Sequence, residues 1–60
     1  MAVKWYQMTD LRPGAGELIW VRMLYIERPF QATWDDVTAT AVTSTMLVLP
    51  WYFIAAWTPV

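Results

Sequence analysis

The sequence has no cysteine and no histidine. Without cysteine there are no disulfides and no thiolate metal sites, although this fits any redox compartment. Without histidine there is no imidazole ligand and no ordinary general base for a serine or threonine nucleophile. Glycine occurs only as Gly14 and Gly16, and Gly14-Ala15-Gly16 lacks the rest of either nucleotide-binding fingerprint. The acidic residues Asp10, Glu17, Glu27, Asp35 and Asp36 are not spaced as a metal cluster. A net charge of −1 leaves no basic footprint for nucleic acid. The expectation is therefore a non-enzymatic chain with no nucleic-acid partner, and no cofactor held by identifiable ligands.

Apolar residues are plentiful, at 58% of the 60 positions, and 17% are aromatic. A chain this short buries only about 60% of its unfolded surface. Lipid or a large protein partner is expected to cover the remainder. Charge is unevenly distributed. Every charged side chain lies at or before Asp36, and Val37–Val60 has none.

Residues 1–16 read as an irregular leader with turn chemistry at Thr9-Asp10-Leu11-Arg12-Pro13-Gly14. It is not a signal peptide, because the apolar run sits at the wrong end. Residues 17–28 (ELIWVRMLYIER) are too short to span a bilayer, which takes about 20 residues. The segment is expected to be a short helix on the membrane surface, with Trp20 and Tyr25 at headgroup level and Arg22 snorkelling. Its Ile, Trp, Val and Tyr also allow an extended strand against a partner, so helix and strand both stay open. Thr33 and Asp36 fit the N-cap and third position of a capping box opening the next helix.

Residues 37–57 (VTATAVTSTMLVLPWYFIAAW) give 21 uncharged positions, about 31 Å as a helix, against a hydrocarbon core of about 30 Å. Trp34 and Trp57 bracket the run as interfacial anchors. The expected fold class is all-α membrane: a single transmembrane helix preceded by a short interfacial helix and an irregular N-terminal leader. It divides into a cytoplasmic-side segment 1–36, a span 37–57 and a tail 58–60 on the opposite side. All four basic residues precede the span, which places the N-terminus in the cytoplasm and the chain in a bacterial inner membrane or its equivalent.

In the first half of the span, Ala39, Thr40, Ala41, Thr43, Ser44 and Thr45 form small-residue faces suited to packing another helix. In the second half, Pro50 is expected to kink the helix, and Trp51, Tyr52 and Trp57 are candidate contacts for pigment or lipid. The functional expectation is an accessory, structural subunit of a larger multisubunit membrane complex, photosynthetic or respiratory. Its partners would be larger integral membrane subunits and membrane lipid.

The closing Ala55-Ala56-Trp57-Thr58-Pro59 resembles, over five residues, the Trp-x-Pro ends of bacterial light-harvesting β chains. The resemblance implies an antenna polypeptide in contact with bacteriochlorophyll or carotenoid, although the histidine ligand of that family has no counterpart here. A self-assembling small membrane peptide is a further alternative.

Overall fold

The computed structural model describes residues 3–60. It contains five β-strands and one 3-10 turn. The strands are β1 (Leu18–Met23), β2 (Phe30–Asp35), β3 (Thr40–Thr43), β4 (Val48–Pro50) and β5 (Ile54–Pro59), with the turn at Trp51–Phe53. They form one antiparallel sheet in the order β4-β3-β2-β1-β5.

This sheet overturns the all-α membrane fold. Among the described residues no helix is long and apolar enough to cross a membrane. The run 37–57 instead holds β3, β4, the 3-10 turn and the first part of β5. Eight of its 21 residues are β-branched (Val37, Thr38, Thr40, Val42, Thr43, Thr45, Val48 and Ile54). Such side chains lose χ1 freedom in a helix and pack well on a pleated surface. The single-pass span, the cytoplasmic N-terminus and the inner-membrane placement all rested on that helix and fall with it. The small-residue faces fall too, since Ala39–Thr45 forms β3 and its flanking turns.

Segment 17–28 takes the extended alternative and contributes β1, but its partners are the chain's own strands β2 and β5. The expected interfacial helix is absent, and the β-favouring Ile19, Trp20 and Val21 lie in a strand instead. Ile19 and Val21 point inward and are fully buried, while Leu18, Trp20 and Arg22 point outward. Thr33 caps no helix; it is an exposed position within β2. Asp35 closes the β2–β3 turn instead, its Oδ1 accepting the backbone N–H of Val37 at 3.0 Å and of Thr38 at 3.4 Å. Asp36 accepts the indole N–H of Trp34 at 3.1 Å.

The topology requires a curled sheet. In a flat one, the first and last strands of five would lie about 19 Å apart, at about 4.8 Å per neighbour. Only Trp51–Phe53 joins β4 to β5, and even fully extended this link spans at most about 14 Å. The sheet therefore wraps its inner face around a core of Ile19, Val21, Ala32, Trp34, Ala41, Leu49, Ile54 and Trp57. The radius of gyration, 10.3 Å, matches the value of about 10 Å expected for a compact 60-residue chain.

The N-terminal segment supplies the last wall. Met8 enters the core, and Tyr6 exchanges two backbone hydrogen bonds of 2.8 Å with Trp57. The Trp57 indole N–H donates to the Leu11 carbonyl at 2.7 Å, and its ring lies 5.3 Å from that of Tyr6. The irregular leader is thus clamped onto β5 by one tryptophan.

Both free edges of the sheet end in proline. Thr43 N–H donates to Leu47 C=O, and Trp51 N–H donates to Ala39 C=O. By alternation, Val42/Val48 and Thr40/Pro50 are the non-hydrogen-bonded pairs, and Pro50 faces the outer edge. On β5, the bonds of Trp57 to Tyr6 put Trp57, and therefore Pro59, on the edge facing away from β1. A proline there has no N–H to offer another strand. Pro50 ends an edge strand; it kinks no helix.

Candidate interaction surfaces

Among the described residues two apolar surfaces remain uncovered. The first is the outer face of the sheet. The pairing aligns Leu18, Thr33, Val42 and Val48 in one cross-strand row, and Thr58, Trp20 and Gln31 in the next. Trp5 also lies on this side, beneath the Arg22 guanidinium at 5.5 Å, and Thr58 is buried nearby. A depression of about 570 Å³ runs between Trp20, Pro29 and the β3–β4 turn. It continues into one of about 300 Å³ beside Leu18, Val42 and Met46, sharing Gln31, Thr43 and Ser44 with it. A third, of about 210 Å³, lies between Trp5 and Trp20. No charged residue lines any of the three. Antiparallel sheets ordinarily present one apolar and one polar face; here the middle of both is uncharged.

The second surface is the β1–β2 loop with the adjoining 3-10 turn. Leu24, Ile26, Tyr52 and Phe53 are all about half exposed or more, and Tyr25 is 103% exposed. Leu24 N–H donates to Phe53 C=O at 3.1 Å, which ties the loop to the turn. The Tyr52 ring stands edge-on to Trp51 at 5.8 Å and to Phe53 at 5.0 Å. Arg12 covers Trp51 at 5.7 Å from its ring.

Tyr25 is held in an unfavourable backbone conformation. Ile26 N–H donates to Met23 C=O, so Tyr25 is the third residue of a four-residue turn, and its φ is +66°. That position favours glycine or asparagine. A residue with a Cβ costs roughly 1–2 kcal/mol there. Its fully exposed ring touches little that could offset the cost.

The candidate pigment contacts do not form one surface. Trp57 is 3% exposed in the core, Trp51 is half-buried under Arg12, and only Tyr52 stands clear. Ala41 is buried in the core; Ala39, Thr40 and Thr43 are partly buried on and beside β3, and Ser44 and Thr45 are exposed in the β3–β4 turn. Thr43 and Ser44 do line the outer depressions, though as parts of a strand and turn. Among the described residues no three acidic side chains gather as a metal site. Tyr25, expected at headgroup level, stands instead on this loop, while Leu24, Ile26 and the outer row through Leu18 and Val42 carried no expectation from the sequence. The signal for the loop was a tyrosine at a turn position before Glu27-Arg28-Pro29. For the outer face it was the run Phe30-Gln31-Ala32-Thr33-Trp34-Asp35, in which apolar and polar residues alternate strictly.

Comparison with protein-family models, curated proteins and solved structures gave no match.

Proposed function

We propose that the chain is a non-catalytic accessory module of a larger protein assembly, held to its partner by the Leu24–Ile26 loop and the Tyr52-Phe53 pair. One observation carries this reading: a tyrosine occupies a left-handed turn position that glycine would fill at lower cost, and its whole side chain is displayed to the outside. Backbone strain that the fold does not need tends to collect at functional sites. Aromatic anchors, tyrosine prominent among them, dominate the binding energy of protein interfaces. Leu24 and Ile26 flank the ring, and the bond from Leu24 to Phe53 fixes the loop before any partner arrives, which lowers the entropic cost of docking.

The test is Tyr25→Gly. The substitution relaxes the backbone, so the variant should fold at least as stably as the parent. If the loop docks a partner, proteins crosslinked to the parent chain in its native cell should be lost from the variant. Identical crosslinked partners for both chains would defeat the proposal, because stability and docking would not have separated.

A further inference from the structure

We propose that the outer face of the sheet is the interface between two copies of this chain, packed face to face about a two-fold axis lying across the strands. This is independent of the loop-docking reading, which uses another surface. Charge on the outer face sits at its two ends. Its two middle rows, through Trp20 and through Leu18, have none. Beyond the Trp20 row lies Arg22, and beyond the Leu18 row lies Asp35, both exposed.

Rows on one face recur every two residues, about 6.6 Å along a strand, so Arg22 and Asp35 lie about 20 Å apart, symmetrically about the centre of the face. They sit on the neighbouring strands β1 and β2. A two-fold axis across the strands reverses the order of the rows and leaves each strand at its own lateral position. Arg22 of one copy then falls opposite Asp35 of the other, and the Trp20 row meets the Leu18 row. The same contact occurs twice, as isologous symmetry requires. A charge-free centre with complementary charges at its ends is the pattern of an interface core and rim.

The outer face curves with the sheet, so the contact centres on the neighbouring strands β1 and β2, which carry Leu18, Trp20, Gln31 and Thr33. Edge-to-edge association is disfavoured, since Pro50 and Pro59 each remove one outward donor from an edge strand.

Sedimentation equilibrium of the full chain tests the proposal. The expected result is a reversible monomer–dimer equilibrium that Val42→Lys and Thr33→Lys each weaken at least about tenfold. Two further variants form a double-mutant cycle: Arg22→Gln, and Asp35→Asn, which keeps the turn-capping oxygen. Each should weaken the dimer a few-fold, and the pair should show coupling of about two- to fivefold. The cycle needs no lysine in the face, so it stands even if one lysine variant fails to fold. A monomer at every concentration, assembly beyond a dimer, or a cycle with no coupling would overturn the proposal.

Discussion

Replacing Trp57 by phenylalanine isolates the contact that joins the N-terminal segment to the sheet. Trp57 is 3% exposed, and its indole N–H donates to the Leu11 carbonyl at 2.7 Å. Phenylalanine keeps an aromatic ring in the core, but it loses the donor and the second ring. The lost hydrogen bond is worth about 1 kcal/mol. The lost buried area and the small void add about 1 kcal/mol more. A 60-residue domain has roughly 3–9 kcal/mol in total, so about 2 kcal/mol is a large share. At this size each kcal/mol moves the midpoint by about 4–8 °C, and Trp57→Phe should melt about 8–16 °C lower. Thermal unfolding followed by far-ultraviolet circular dichroism reads this shift. Amide exchange at Tyr6, whose N–H bonds to the Trp57 carbonyl, should quicken along with it. A variant melting within about 2 °C of the parent would refute the reasoning, for Trp57 would then not be the clamp.

Two other substitutions probe the turns and edges. Met46 ends the three-residue β3–β4 turn with φ +66°, a left-handed position that favours glycine. Met46→Gly should therefore raise stability by about 0.5–1 kcal/mol in urea unfolding, whereas Thr45→Gly, one residue earlier in the same turn, should lower it. Pro50→Thr restores an outward N–H on β4, and the variant should form β-rich aggregates at concentrations where the parent stays clear by light scattering. Equal turbidity for both would remove proline from its role as an edge stop.

The uncharged run misleads because of how this sheet is built. From sequence, a strand shows itself by alternation between an apolar core face and a polar outer face. In β1 the inward Ile19 and Val21 alternate with outward Leu18 and Trp20, so the period of two is hidden. In β3 and β4 the inward Ala41 and Leu49 alternate with outward Val42 and Val48, again without a charge. Three short strands and their turns then read as 21 uninterrupted membrane-like positions.

What remained legible was local. Residues 3–17 hold turns and a single bridge from Tyr6 to Trp57, and Gly16 takes a φ of +76°. The strand propensity of residues 17–28 was also visible. Between 37 and 48 the β-branched Thr and Val residues favour strand over helix, a propensity that the length and hydropathy of the run concealed. The curl was not legible, because it depends on which distant strands meet and on three residues being too short to join the edges of a flat sheet. The exposed loop was hidden for a related reason. Tyr25 looks like one more apolar residue until its φ and its exposure are known.

Residues 37–57 hold the antiparallel strands β3 and β4 and the start of β5, which pairs with β1. Nuclear Overhauser contacts between α-protons test this pairing directly, because non-hydrogen-bonded antiparallel pairs bring their Cα atoms to about 4.5 Å. Strong Hα–Hα contacts are predicted for Val42 with Val48 and for Val21 with Trp57. A continuous ladder of amide–amide and i-to-i+3 contacts from Val37 to Trp57, with neither α-proton pair present, would contradict it.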